Sequence, residues 1–448
     1  MAYAQYQLSS ITAQIATLLD DSGDVYWTNA EKVLAIQEAL RVWGALTNFW
    51  RSRGSFPTVA GTAYYDLSST LSSLRTRTWT LTQLTEQIQY HLLEAANGIG
   101  GSGMSGQVSI GSILNSIQRA RNRFALDVQF PFTIATTVFN SAPTGGLAAF
   151  PAQYLTVHRL QWMDKVTGIW TNLIREDAWS ADHANVGWTN STGQPVAYSE
   201  SESAPLAIQL YPPPPNGGTL ETTTVNPLIV NIASGSSTFS IPDEWVHALK
   251  YFALADLFSN ESQLADPTRA QYCWMRYKQA VDLALNGRSV MRLIGPLGAP
   301  LDIDTLFSLD VGIPSWKNQT TPPPSFAIIA GVLYDYVALY PVPSSIYTVY
   351  ADVIQSAPIP TSPTDYIQVG AEDVPEIINY AVHYLAFKCG GKEFQSTFPL
   401  YDSFMGAASR RGLINQAKIR YLRDEFGQPQ KEKEQRPDTL RMKETANA

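Results

Sequence analysis

"WTNSTGQPVAY" at residues 188–198 and "WKNQTTPPPSF" at 316–326 are two versions of one pattern, pairing Trp188 with Trp316, Asn190 with Asn318, Thr192 with Thr320 and Pro195 with Pro323. Shortly after each copy comes a second match, "LYPPPP" at 210–215 and "LYPVPS" at 339–344. A third follows at constant offset, with Pro242, Asp243, Ala248, Tyr251 and Ala253 answering Pro375, Glu376, Ala381, Tyr384 and Ala386. Ordered matches over such a span are the mark of an internal repeat. The spacing predicts two copies of one module, each a small β unit followed by a helical hairpin.

The third match carries a helix-start signal. Pro242 and Pro375 sit near a first turn, where the missing N–H costs nothing, and Asp243 and Glu376 suit the positive end of the dipole. Trp245, Leu249, Phe252 and Leu257 give the first copy an apolar helical face, and Ile377, Tyr380, Tyr384 and Phe387 do so in the second. Partner helices are expected from Asp266-Pro267 and from about Leu400 to Leu422.

Upstream of the repeat the pattern is helical. Thr28 and Glu31 have capping-box spacing, and Val33, Ile36, Leu40, Trp43 and Trp50 extend an apolar face to about Arg53. A shorter helix around Ile11, Ile15 and Leu18 precedes it, and "FPTVAGTAYYDL" at 56–67 reads as a hairpin. Leu81 to Leu92 and Ile110 to Phe124 mark two more helices, the latter with Arg119, Arg121 and Arg123 on its outer side. "GIGGSGMSG" at 98–106 between them is a linker. The expected fold is α+β: a mainly helical N-terminal region (1–130), module one with its hairpin (131–290), module two with its hairpin (291–424) and a polar tail (425–448).

Composition narrows the class. Charged residues make up only 16% of the chain, against roughly 25% in ordinary soluble domains, which fits a surface buried by partners in an assembly. A net charge of −8 gives no bulk attraction to nucleic acid. Cys273 and Cys389 are too few for a disulfide framework or thiolate metal site, and the start "MAYAQYQLSSITAQIATLL" lacks a signal peptide's basic region. No window reaches the roughly 20 apolar residues of a membrane span, so a soluble protein made in a cytoplasm is expected.

Catalytic patterns are missing. The glycine run lacks the Gly-Lys-Ser/Thr ending of a phosphate loop, there is no Gly-x-Ser-x-Gly elbow, and the five histidines have no paired ligand spacing. Asp302 and Asp304 could serve as a carboxylate pair, but a solvated loop is the simpler reading. No catalytic residue, metal or cofactor is expected. The one basic run, "ASRRGLINQAKIRYLR", sets Arg410, Arg411, Lys418, Arg420 and Arg423 as candidates for contact with DNA phosphates or an acidic partner.

"WTNAEKVLAIQEALRVWGALTNFWR" (27–51) with "FPTVAGTAYYDL" resembles the opening of tailed-bacteriophage head-to-tail adaptor (neck, connector) proteins. "LYPVPSSIYTVYADVIQSAPIP" (339–360), the acidic-Pro helix start and "YAVHYLAFKCGGKEF" (380–394) are similar to their β-to-helical-hairpin unit. The resemblance implies a virion structural protein without cofactor, forming a homo-oligomeric ring, often a dodecamer, under the portal. Such a ring passes genomic DNA without sequence specificity and offers tail or neck proteins a platform. The rival readings are a tail or fibre-attachment component and a glycan-binding tail protein, for which Trp188 and Trp316 are the residues to inspect.

Overall fold

The computed structural model describes residues 6–67, 71, 73–92, 108–129, 132–149, 154–177, 180, 183, 191–200, 207–225, 234–259, 265–286, 290–313, 316–320, 325–328 and 336–427. The glycine linker, Trp188, Asn190, Pro323 and residues 428–448 of the tail lie outside them. Helix and sheet are mixed, as an α+β fold requires.

Helices α1 (Leu8–Leu18) and α2 (Asn29–Thr47) open the chain. The Thr28 hydroxyl accepts from the Glu31 N–H while the Glu31 carboxylate accepts from the Thr28 N–H, the reciprocal box the sequence announces. The helix stops earlier than its apolar pattern, at Asn48 in the left-handed region (φ 49°). Trp50 is still buried, but from the lead into strand β1 (Arg51–Pro57). Helix α3 (Leu81–His91) and α4 (Ile110–Val128) repeat the scheme. Ser109 caps α4, which like α2 has 19 residues and ends on a left-handed residue, Gln129. Arg119 and Arg123 are exposed on α4, whereas Arg121, expected on the outer side, is buried.

After the matched prolines, a 3-10 turn at Asp243–Trp245 leads into α5 (Val246–Ser259), followed by α6 (Pro267–Asn286). The second set is α8 (Val374–Ala386), short α9 (Gly391–Ser396) and α10 (Phe398–Gly427). Leu84, Ile88, Ile117, Phe124, Leu249 and Tyr277 belong to one buried core formed by α3, α4, α5 and α6. Ile11, Ile15, Ile36, Trp43, Tyr380 and Phe404 belong to a second, formed by α1, α2, α8 and α10.

The strands are β2 (Tyr64–Asp66), β3 (Phe132–Phe139), β4 (Leu147–Ala149), β5 (Thr156–Asp164), β6 (Trp170–Arg175), β7 (Ala197–Glu200), β8 (Ala207–Tyr211) and β9 (Gly218–Val225). Beyond them come β10 (Val290–Ile294), β11 (Asp302–Thr305), helix α7 (Leu306–Gly312), β12 (Ser325–Ile328), β13 (Tyr336–Tyr340) and β14 (Thr348–Ile354). Seven form one sheet in the order β3-β9-β5-β6-β7-β8-β4, and the rest form β1-β14-β10 and β11-β12-β13-β2. The hairpin expected at 56–67 is therefore not formed. β1 pairs antiparallel with β14 and β2 with β13, in different sheets, because both strands find complementary edges far along the chain.

The registers agree pair by pair. Ala197↔Tyr211 and Tyr198↔Leu210 match Ser325↔Tyr340 and Phe326↔Leu339, the residues aligned by the repeat. Arg51↔Ile354 and Pro57↔Thr348 match Phe132↔Val225 and Val138↔Thr219. The bulge of β5 against β9, between Val157 and Arg159, recurs in β10 against β14 between Val290 and Arg292.

Gly218 shows how tightly the seven-stranded sheet closes. A Cβ there would collide with the Met163 carbonyl and the Trp162 ring. Gly218→Ala is expected to lower unfolding stability by about 1–3 kcal/mol, the usual cost of overpacking, checked by urea denaturation. A loss below about 0.5 kcal/mol would show that the strand end relaxes freely.

Candidate functional site

Helix α5, "VHALKYFALADLFS", is buried over most of its circumference, and its two charges are Asp256, which meets Arg119 near the surface, and the fully buried Lys250. Lys250 needs a counter-charge there, and α2 of the other bundle supplies Glu38. The Lys250 ammonium donates to one Glu38 oxygen, while the Tyr251 and Tyr380 hydroxyls donate to the other at 3.0 and 3.2 Å. Burial alone would raise the Glu38 carboxyl, but the Lys250 charge and hydrogen bond outweigh it and hold it down at about 2.

Around this pair runs a buried polar seam between the bundles. Arg276 donates to the Tyr380 hydroxyl at 2.6 Å and to Tyr272 at 3.3 Å, its guanidinium lying over the Tyr251, Tyr380 and Tyr401 rings. His383 bridges Tyr272 (2.9 Å) and Thr397 (2.8 Å), and His91 meets the Tyr384 hydroxyl at 3.0 Å. Burial pushes His247 and His383 down to about 3 and His91 down as well, so these rings are neutral in the fold.

That neutrality carries a pH signature. The unfolded chain protonates these rings below about pH 6.5, and the native chain does not until near pH 3 for His247 and His383. Unfolded protein then binds more protons, so stability falls as pH falls through this window. A loss of up to about 1.4 kcal/mol per pH unit for each of the two histidines is expected below pH 6, measured by denaturant titration at stepped pH. A flat profile from pH 7 to 5 would contradict it.

A second seam joins the seven-stranded sheet to α7 and the turn at Trp316–Asn318. Arg159 on β5 forks onto Asp310 (2.7 and 2.8 Å) and reaches Glu221 at 3.0 Å and the Tyr64 hydroxyl at 3.1 Å. Lys317 meets Glu221 at 2.6 Å, and Trp316 donates to Asp310 at 2.9 Å. Burial lowers the Lys317 ammonium to about 8. A third contact pairs Arg75 with Glu244 at 3.2 Å, both buried.

These clusters contain acids, bases and hydroxyls, and their charged groups are paired within them, although His91 Nδ1 and His247 Nδ1 are buried without a hydrogen-bond partner among the described residues. Glu38 and Lys250 are 3% and 1% exposed, too enclosed to meet a substrate. Beside the first seam lies a cleft of about 300 Å³ lined by Gln37, Arg41, Trp79, Tyr90 and Tyr384, with Arg41 over the Trp79 ring at 5.0 Å. Among the described residues no group of three His, Cys, Asp or Glu side chains is arranged to hold a metal. No described helix is long and apolar enough to cross a membrane. The arrangement locks helices and sheets together.

The basic candidates lie on α10. Arg410 is exposed, and Arg411 is engaged with Glu372 (2.8 Å) and Asp373 (2.7 Å). Lys418, Arg420 and Arg423 fall on the same helix, but their side chains are outside the described set. Trp316 is fully buried, which leaves it no sugar-stacking face, and Asp302 is exposed. Both seams escaped the sequence reading. For the first, the signals were a lysine among the apolar residues of α5 and a glutamate on the buried face of α2 beside Ile36, Ala39 and Leu40.

Residues 79–300 match the family model described as SU10 adaptor protein, a phage adaptor-type structural family. No curated protein matches the chain.

Proposed function

We propose, from that likeness, that this chain is a non-catalytic virion protein forming a head-to-tail adaptor ring of a tailed bacteriophage. The ring docks on the portal, surrounds the path of the genomic DNA and gives neck or tail proteins a platform. The observation that carries the reading is the extent of the match, which begins just before α3 and ends just after β10. It takes in the four helices α3 to α6 with the whole seven-stranded sheet.

The closed seams agree with a structural role, since they spend their polar groups on holding elements in place. In this reading Arg410, Arg411, Lys418, Arg420 and Arg423 form a basic stretch of α10 directed at DNA phosphates or an acidic partner rim. The subunit is made in the host bacterial cytoplasm and ends in the neck of the particle. Cryo-EM of the neck tests this directly. A ring of this chain against the portal is the expected result. A position on the fibres or along the tail would assign it to tail attachment, and absence from the particle would end the virion reading.

A further inference from the structure

The matching registers place one set of elements inside another. The inner unit, α3 to α6 with β3 to β9, is continuous, whereas the outer unit takes α1, α2, β1 and β2 from before it and β10 to α10 from after it. Counterparts can be read off. Tyr350 holds the place of Glu221, since Ser55↔Tyr350 answers Thr136↔Glu221. Leu147 holds that of Tyr64, since Leu147↔Gln209 answers Tyr64↔Ala338. Leu18 ends α1 as His91 ends the equally long α3, and Arg119 lies on α4 where Glu38 lies on α2.

The units meet through different faces. The inner unit contributes His91 and Glu221, which are 1% and 5% exposed, to Tyr384 and Tyr64 of the outer unit. Their outer counterparts Leu18 and Tyr350 are 64% and 45% exposed. The outer unit contributes Tyr64 and the buried Glu38, and their inner counterparts Leu147 and Arg119 are 51% and 55% exposed. A self-complementary contact would bury all of these, so the joint is head-to-tail. Such a joint leaves one complementary face open at each end of the chain, and repetition closes a ring or extends a filament.

We propose that the inner-unit face around Arg119, Leu126 and Leu147 takes the outer-unit face around Leu18 and Tyr350 of a second copy of this chain. The contact within one chain is thereby repeated between chains, and a ring holds twice as many unit positions as chains. The inference rests on the adaptor reading for where such a ring sits, not for the contact itself.

The test uses full-length chains carrying Cys389→Ser, because Cys389 is half-buried while Cys273 is buried. Leu147→Cys and Tyr350→Cys are made separately, both at exposed positions that leave the cores intact. Each concentrated preparation, and their mixture, is treated with a bis-maleimide, and the double variant is treated both in solution and in particles. Covalent dimers confined to the mixture, with a ladder from the double variant, are expected. Dimers within either single preparation, or no covalent product anywhere, would overturn the proposal. Mixture-specific dimers from a chain absent from particles would instead end the adaptor reading and keep this one.

Discussion

Glu38→Ala lowers the unfolding free energy by about 3–5 kcal/mol, the range seen when one partner of a buried ion pair is removed. Lys250 is then buried without its counter-charge, and the Tyr251 and Tyr380 hydroxyls lose their shared acceptor. The missing methylenes add less, since Glu38 fills little space between much larger aromatic neighbours. Guanidinium denaturation followed by tryptophan fluorescence reads the change. Glu38→Gln keeps an acceptor and loses less. Replacing both partners, as Glu38→Met with Lys250→Met, recovers the part due to the unpaired charge and leaves a loss of about 1–3 kcal/mol from the two hydroxyls. If Glu38→Ala cost under 1 kcal/mol, the pair would not be the closed contact described.

Arg159→Ala has an effect of similar size, about 3–5 kcal/mol, by the mirror-image route. It strips Asp310 of a forked partner and leaves Glu221 with Lys317 and the Tyr64 hydroxyl. Arg159→Lys preserves the charge but not the planar fork, so its stability falls between the two. Amide exchange locates the damage: faster exchange in α7 and at Trp316–Asn318 is expected, with the bundle of α1, α2, α8 and α10 little changed. Uniform acceleration across both bundles would mean that this seam does not act locally.

Local rules made much of the fold legible. Thr28 with Glu31 gave the start of α2 and Pro375 with Glu376 the start of α8, while the Leu-Tyr-Pro matches marked two β segments. Their pairings, Ala197↔Tyr211 and Ser325↔Tyr340, were not legible, because a period of two states which face a side chain takes and not the strand it joins. Helix α2 was read past its end because Trp50 falls on the helical period and is buried from another element. The partners of β1 and β2 were out of reach, since a strand's sequence states its faces but not which distant edge it will join. The seams were hidden for a related reason. Their charges are single residues on separate helices, strands and turns, and only packing shows that they meet.

The nesting of one unit inside another sets a timetable for synthesis. Everything the inner unit needs has been synthesised by Asn286, so it can complete itself while the chain is still growing. The outer unit cannot: Arg51 waits for Ile354, about 300 residues later. At roughly 5–20 residues per second the delay is about 15–60 s. Through that interval α1 and α2 carry Ile11, Ile15, Ile36 and Trp43 without the helices that will cover them. The nascent chain therefore presents its first two helices to chaperones for most of its time on the ribosome, and closure of the outer unit becomes the last checkpoint before release.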